Sequence, residues 1–391
     1  MNTINNQPLA LLNNLTPSQF LAEYWQKKPL LIRQAIPNFT GLLTPNELAG
    51  LACEDDVQAR IIKQTKQKWT VQNGPFDEAD FEKLSQSTPK KSDWTLLVQS
   101  VNHFLPEAAE LLSQFNFIPH ARLDDLMVSY APDGGGVGAH VDSYDVFLLQ
   151  GSGKRNWKIS NTDIKKPADL SLIDGAPLKI LKHFEAEQEW VLEAGDMLYL
   201  PPQIAHWGIA LGDDCMTYSI GFRAPKKQEL MHEFLAYMQD KLTAEGLYAD
   251  PDLTLQKHPA EIADNMVTQV ELMLKAIAWD KSAVADFLGC YLTEPKPDVF
   301  FDPPRKISAA QFLNLISKKS LVLNLKSQLL FSNNCFYLNG EKLQLTIELI
   351  DPMQAFADDK CLNTAALQAN IHAALGNALL GHYLAGYIDF M

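Results

Sequence analysis

The chain has 391 residues, enough for more than one domain, and its 47% apolar residues can fill well-packed cores. With 33 basic and 47 acidic residues, the formal net charge is −14, which disfavours direct nucleic-acid binding and favours basic partners. No apolar run is long enough for a transmembrane helix, no signal peptide is recognisable, and the five cysteines are scattered. We therefore expect a cytoplasmic protein without a membrane segment.

The first part of the chain mixes helices with short strands. Thr16 followed by Pro17 predicts the start of a helix, with a capping hydroxyl and a first-turn proline. Lys28-Pro29 ends this helix, and residues 30–32 are typical of a strand. From about residue 122 short strands alternate with glycine-rich turns, which predicts an all-β barrel.

Residues 226–292 have a different character, because apolar side chains recur there at helical spacing. Three amphipathic helices are predicted, over residues 230–242, 262–277 and 284–292. They would form a bundle of their own, form a dimer interface, or simply pack on the barrel. The pattern alone does not choose between these arrangements.

A proline-rich linker at 294–304 precedes a small C-terminal domain. Ser308 and Gln311 have the spacing of a capping box. Asn339-Gly340 predicts a tight hairpin. Strands are expected near 321–325, 328–331 and 335–338, and helices near 364–380. This order suggests a winged-helix-like domain. Residues 307–391 carry five lysines, no arginine and six acids, so we expect no direct DNA binding.

The most informative residues are two histidines and one aspartate. His140 and Asp142 are two residues apart, so a strand would present both side chains on one face. His206 follows Gly195, an apolar strand and a Pro-Pro bend, which is a double-stranded β-helix signature. Two imidazoles and one carboxylate form the facial triad of non-haem Fe(II) oxygenases. Zn(II) accepts the same ligands, so the triad alone does not establish iron.

Arg155 provides a second, independent indication. In the predicted strand 154–159 it shares a face with Trp157 and Ile159, and an arginine on an apolar face needs a buried anion. The tail carboxylate of 2-oxoglutarate would meet that need through a bidentate salt bridge. The alternative is a structural ion pair with one of the chain's many acids.

The strand before the glycine-rich turn carries Asp125, Met127 and Ser129 on one face. If that face points inward, Ser129 can hydrogen-bond the 2-oxoglutarate tail. Asp125 could then receive a cationic side chain, with Met127 and Tyr144 as apolar walls. Alternatively, Asp125 is a solvated or capping acid and Tyr144 is a core residue.

Four segments resemble a known family: residues 24–29, 93–103, 134–147 and 218–225. In these segments, and in domain order along essentially its whole length, the chain resembles the bacterial JmjC-type ribosomal oxygenases, which are cupin-like arginine hydroxylases. The resemblance implies an α+β multidomain protein. A double-stranded β-helix (cupin/JmjC) barrel would span 1–225, a helical dimerisation region 226–302, and a winged-helix-like domain 303–391.

The resemblance also implies Fe(II), with 2-oxoglutarate and O2 as cosubstrates, a homodimer, and hydroxylation of an arginine in ribosomal protein 16 of the large subunit, a basic substrate. Asp125 favours arginine over the histidine that eukaryotic relatives hydroxylate. By matching position, His140, Asp142 and His206 would bind iron, and Arg155 with Ser129 would hold 2-oxoglutarate. The residues implied for the arginine pocket are Asp125, Met127, Tyr144 and Ser219.

Four rival interpretations remain. A histidine hydroxylase of a ribosomal protein would share the whole machinery. A zinc or manganese cupin isomerase needs no buried cation, so Arg155 argues against it. A non-catalytic cupin-like adaptor for ribosomal partners would tolerate loss of the triad, yet the triad is intact. A histone-type demethylase is disfavoured because the chain lacks nuclear targeting and a basic reader domain.

Overall fold

The computed structural model describes residues 6–65, 68–86, 94–160 and 171–391. It places a barrel-forming sheet first, a run of helices next, and a small domain of helices and short strands at the end. No helix in these ranges is both long and apolar enough to cross a membrane. This order of elements is the α+β multidomain fold expected from the sequence.

The main sheet is antiparallel, in the order β1-β9-β7-β10-β5-β4-β2-β3, with β6 on β10 and β8 on β7. Its strands in the described part of the chain are β1 (Leu30–Ile32), β2 (Ala59–Thr65), β3 (Lys68–Asn73), β4 (Trp94–Val98), β5 (Leu123–Ala131), β6 (His140–Val141), β7 (Asp145–Ser160), β8 (Gln188–Glu193), β9 (Met197–Leu200) and β10 (Ala205–Phe222).

Two long strands, β7 and β10, close this sheet into a double-stranded β-helix. The first half of β7 pairs with β9 and its second half with β8. Strand β10 pairs with β7 along both halves, with β5 near its end and with β6 at its start. The β7–β10 register shifts between Leu211 and Met216, where the pair passes from one layer to the other. The predicted barrel is therefore confirmed.

Helices cover the outer face of one layer. They are α1 (Pro17–Glu23), α2 (Pro45–Leu51), α3 (Glu78–Gln86) and α4 (Pro106–Ser113). Thr16 caps α1 in a capping box with Gln19, as predicted. Phe20 is fully buried, and its ring meets those of Phe147 and Tyr199 at 5.6 and 5.0 Å. Burying such a side chain contributes about 1.5–3 kcal/mol, so this aromatic cluster fixes α1 on the sheet.

The three predicted middle helices are observed as α5 (Lys227–Gln239), α6 (Asp264–Lys275) and α7 (Lys281–Thr293). Helix α7 packs under the C-terminal domain, because Gly289 leaves room for a tyrosine ring that a Cβ would meet at 2.2 Å. Helix α5 joins α7 through Phe234 and Phe287, 5.3 Å apart. Helix α6, in contrast, buries none of its residues.

The C-terminal domain combines helices with two three-stranded sheets, β15-β11-β16 and β12-β13-β14. Its elements are α8 (Ala309–Ile316), β11 (Leu321–Leu323), β12 (Leu329–Ser332), β13 (Cys335–Leu338), β14 (Glu341–Lys342), α9 (Ile350–Asp359), β15 (Cys361–Leu362), α10 (Ala369–Leu384) and β16 (Ile388–Phe390). Ser308 caps α8 in the predicted box with Gln311. Asn339 and Gly340, with φ of 49° and 90°, form the predicted hairpin turn.

Lys326 docks this domain on the barrel. Its ammonium lies 2.9 Å from an oxygen of Asp56, donates to the Phe300 carbonyl at 3.0 Å, and sits 5.1 Å from the ring of Phe104. The side chain is only 13% exposed, so this ion pair is less screened than one on the open surface. The contact joins the C-terminal domain to the segments that precede β2 and α4.

Candidate metal and cosubstrate site

Three predicted ligands meet at one end of the barrel interior. His140 on β6 is paired in register with His206 on β10, and Asp142 follows β6 directly. The Asp142 carboxylate lies 3.5 Å from Nε2 of His206 and 3.9 Å from Nε2 of His140. One ligand atom from each of the three residues can be chosen so that all lie within 4.8 Å of one another. Elsewhere in the described ranges no other group of three such side chains is this close.

Backbone carbonyls orient both imidazoles. Nδ1 of His140 lies 2.8 Å from the carbonyl oxygen of Gly138, and Nδ1 of His206 lies 2.9 Å from that of Ile204. A carbonyl oxygen only accepts, so each Nδ1 carries the proton and each Nε2 keeps its lone pair. Both lone pairs are therefore available to a metal ion.

The electrostatics of His206 suit a metal ligand. It is 2% exposed, and burial, together with the neighbouring His140, lowers its pKa to about 4, while Asp142 acts in the opposite direction. The imidazole is thus neutral near pH 7, which is the form that binds metal. Two imidazoles and one carboxylate fit Fe(II) and leave coordination positions open for other ligands.

Arg155 is the second notable group of the interior. It is 4% exposed, and its guanidinium carbon lies 5.7 Å from the Trp157 ring. Its neighbours Lys154 and Lys158 point the other way and pair with Glu193 and Glu189 on the outer face. The predicted alternation along β7 is therefore present.

The Arg155 guanidinium has no acidic partner among the described residues. Nε donates to Sγ of Cys215 at 3.3 Å, and the buried Nη2 has no hydrogen-bond partner within the described ranges. A buried charge without a counter-ion costs several kcal/mol. The structural ion pair that rivalled the cosubstrate interpretation is not observed in the described part of the chain. A carboxylate-bearing ligand would supply the missing partner.

Register places Arg155 and the triad in the same interior. Arg155 pairs with Ala210 and Ile159 pairs with His206 across β7 and β10. The Trp157 ring lies between them, 5.8 Å from the ring of His206. One small ligand lying along Trp157 could therefore reach both the metal end and the arginine.

The face of β5 singled out from the sequence also points inward. Asp125, Ser129 and Ser219 are 8%, 4% and 7% exposed, and Met127 is paired with Ser219 across β5 and β10. Asp125 is therefore not a solvated acid. Burial and the nearby Asp124 raise the pKa of its carboxyl group.

Tyr144 is half-buried and packs against the interior cluster that includes Val146 and Leu148. Burial raises the pKa of its phenol, and the carboxylates of Asp142 and Asp125 add to that effect. These causes place its hydroxyl in the field of both a triad residue and the proposed pocket residue.

Three interior residues were missed from the sequence: Gln150, Cys215 and Thr217. All three are at most 1% exposed, and Thr217 donates to the Gln150 amide oxygen at 3.0 Å. Gln150 in turn donates to the Ser152 carbonyl at 2.7 Å. The alternation of small or polar residues at 215, 217 and 219 with large apolar ones at 216, 218 and 220 was the available signal.

Comparisons with known proteins agree with this geometry. A family described as the JmjC domain matches residues 110–230, and a ROXA-like winged helix matches 276–389. The ribosomal protein uL16 3-hydroxylase of Escherichia coli is 33% identical over 95% of both chains. A probable ribosomal oxygenase of Haemophilus influenzae is 37% identical over 66% of this chain and 60% of its own.

A solved structure extends the likeness to the whole fold. The ribosomal oxygenase YcfD from E. coli, in complex with cobalt and 2-oxoglutarate, superposes with a TM-score of 0.78 at 31% identity over 95% of this chain and 97% of that one. JmjC-type oxygenases use Fe(II), 2-oxoglutarate and O2, and His140, Asp142 and His206 form a group that could hold such a metal ion. The chain therefore belongs to the family of JmjC-type, 2-oxoglutarate-dependent ribosomal oxygenases.

Proposed function

We propose that this protein hydroxylates an arginine side chain of ribosomal protein uL16. The observation that carries the oxygenase part is the buried guanidinium of Arg155, which has no acidic partner among the described residues and faces the same interior as the triad. The substrate part is supported by the name of the E. coli relative, a uL16 3-hydroxylase, and by Asp125. Action on a ribosomal protein would take place in the cytoplasm.

In this proposal Nε2 of His140, Nε2 of His206 and the Asp142 carboxylate hold Fe(II). The bound iron supplies the activation of O2 for hydroxylation. Arg155 and Ser129 hold the tail carboxylate of 2-oxoglutarate. The protein's own contribution is to keep the His206 imidazole neutral, to orient both imidazoles through the Gly138 and Ile204 carbonyls, and to exclude water.

The substrate pocket is proposed from Asp125, Met127, Tyr144 and Ser219. A guanidinium placed beside Asp125 would compensate the burial of that carboxylate, which has no cation within ion-pair distance among the described residues. Met127 and the Tyr144 ring would pack against the methylene groups of the arginine. The net charge of −14 would favour encounter with a basic ribosomal protein over binding to DNA.

We further propose that the chain has a catalytic domain at 1–225, a helical region at 226–302 and a winged-helix-like domain at 303–391. The helical region would form the interface of a homodimer. Helix α6 supports this, since the described part of the chain buries none of its residues and leaves most of its apolar side chains exposed. Those at least 38% exposed include Met266, Val267, Val270, Leu272, Met273 and Leu274.

The test uses the full-length protein, loaded with Fe(II) and 2-oxoglutarate without oxygen and then exposed to air with purified uL16. We expect succinate formation and the mass increase of one oxygen atom on an arginine, located by tandem mass spectrometry. His206→Ala and Asp142→Ala should abolish both while leaving the circular dichroism spectrum unchanged.

The other outcomes discriminate between the rival interpretations. Oxygen on a histidine would keep the enzyme class and contradict the role given to Asp125. If neither succinate nor a modified residue is formed, the result would favour the non-catalytic adaptor. Full turnover in a folded Asp142→Ala variant would remove the triad from the site.

A further inference from the structure

Among the residues that the structure describes, Ser100 is the one that donates hydrogen bonds to the carboxylate of Asp125. Both the backbone N–H and the hydroxyl of Ser100 donate to the same oxygen, Oδ2, at 2.9 and 3.1 Å. The other oxygen, Oδ1, lies beside Gly221, at 3.7 Å from where a Cβ of that glycine would sit. Gly221 is two residues beyond Ser219, on the face of β10 that lines the pocket.

Ser100 adopts a backbone conformation that a serine rarely takes. Its φ of 52° and ψ of 37° lie in the left-handed region, which is unfavourable for residues with a Cβ. Two residues later, the side chain of Asn102 accepts from the N–H of Leu126 at 2.9 Å. The turn after β4 therefore holds two successive residues of β5, and this keeps Ser100 in its strained conformation.

The charges around Asp125 do not neutralise it. Its neighbour Asp124 takes the nearby cations, with Lys296 at 3.0 Å and Arg223 at 3.1 Å. No lysine, arginine or histidine nitrogen in the described ranges lies within ion-pair distance of Asp125 itself. Since Oδ2 already accepts two hydrogen bonds, Oδ1 is the oxygen left for a cation that comes from outside the chain.

We propose that Ser100 is a positioning residue for substrate recognition, which locks Asp125 so that Oδ1 alone faces the cationic side chain of the substrate. The inference rests on the proposed arginine hydroxylation and extends it, because it specifies which oxygen of Asp125 binds the substrate guanidinium. The guanidinium would be engaged by one carboxylate oxygen rather than by the bidentate pairing of two oxygens.

Two variants separate the hydroxyl from the backbone. Ser100→Ala and Ser100→Gly both remove Oγ and keep the N–H, but only glycine also relieves the left-handed strain. We expect both to raise KM for uL16 about tenfold, the effect of one hydrogen bond to a charged group. The kcat and KM for 2-oxoglutarate should stay unchanged, because the triad and Arg155 are untouched. An unchanged KM for uL16 in both folded variants would overturn the proposal, since both lack the hydroxyl that donates to Asp125.

A double-mutant cycle shows whether Ser100 acts through Asp125. In an Asp125→Ala background, adding Ser100→Ala should change KM for uL16 by less than about twofold. A full additional tenfold rise there would mean that Ser100 acts by another route.

Crystal structures of the wild type and of Ser100→Ala provide a readout that needs no substrate. We expect the Asp125 carboxylate to adopt a second orientation in the variant. An unmoved carboxylate would refute the positioning role even if uL16 is hydroxylated. Failure of the wild type to modify uL16, with a reoriented carboxylate in the variant, would reject the proposed substrate and retain the positioning of Asp125.

Discussion

Arg155 and Asp125 are a buried basic and a buried acidic side chain on the barrel wall, and neither has an ion-pair partner in the described part of the chain. Each side chain loses hydration on folding without a compensating counter-ion, so each lowers the stability of the unliganded protein. Such uncompensated groups persist where a ligand supplies the missing charge. The two residues indicate an anionic ligand at one place and a cationic ligand at the other.

For Arg155→Met we expect the 2-oxoglutarate concentration needed for half-maximal succinate formation to rise about 30-fold or more, the cost of removing one partner of a buried charge pair. The free energy of unfolding without 2-oxoglutarate should be no lower than in the wild type, because an unpaired buried charge is removed. Arg155→Lys keeps the positive charge but loses the planar guanidinium, so its 2-oxoglutarate requirement should lie between those of the wild type and Arg155→Met. An unchanged requirement for 2-oxoglutarate would exclude Arg155 from the cosubstrate site.

The sequence could identify residues whose role follows from local spacing. His140 and Asp142 are two residues apart, at and just after strand β6, and Arg155 alternates with Lys154 and Lys158 along β7. Ser100 could not be found in this way. Its importance depends on a contact with Asp125, 25 residues away in the sequence. It also depends on a left-handed backbone conformation, which glycine or asparagine would have indicated but serine does not.

Strands β7 and β10 show how the chain makes room for the site. Gly208 on β10 lies opposite Trp157 on β7, and a Cβ on that glycine would come 2.7 Å from the indole ring. Trp157 in turn lies between Arg155 and His206. A glycine in the middle of a strand is thus needed here for close packing of the ring against the backbone.

Gly208→Ala should therefore destabilise the protein by about 1–3 kcal/mol, the usual cost of overpacking. The displaced Trp157 should also weaken 2-oxoglutarate binding. Thermal unfolding and isothermal titration with 2-oxoglutarate measure the two effects.

Gly381→Ala in α10 is the matched control, since its Cβ would meet nothing within 4 Å. That change should stabilise the helix by up to about 1 kcal/mol. Equal stability of the two variants would contradict the packing argument.

Caps and turns were predictable at the scale of elements, because their signals are local. The capping boxes at Thr16 and Ser308 and the Asn339-Gly340 turn are observed where the sequence places them. The last helix begins later than expected, at Ala369, after a short turn over 364–366. Strand order and register could not be predicted, since they depend on pairing between segments far apart in the sequence.

At the scale of the whole molecule, α6 is the element that the single chain leaves incomplete. Val270 and Met273 are 38% and 52% exposed on a helix that buries none of its residues. Exposed apolar surface of this kind marks an interaction site, and a second copy of the chain would bury it.

We expect light scattering to give the mass of a dimer for the wild type and of a monomer for Val270→Glu/Met273→Glu, because two charges would have to be buried in the interface. Thr268→Glu, on the opposite side of α6, should leave the dimer intact. A wild type that is monomeric at all concentrations would remove the dimer proposal. Dissociation of the Thr268 variant would point to net charge as the cause.

The shared register of β7 and β10 makes the two halves of the site a single unit of assembly. Arg155 and His206 project inward from neighbouring strands that pair over both layers. A slip of one residue in either strand would turn that strand's side chains to the opposite face. A molecule in which β10 has slipped would lose the iron position and the inner wall of the pocket together. Only molecules with the correct strand register should therefore bind iron. The fraction of protein that binds iron should equal the fraction with a correctly folded barrel.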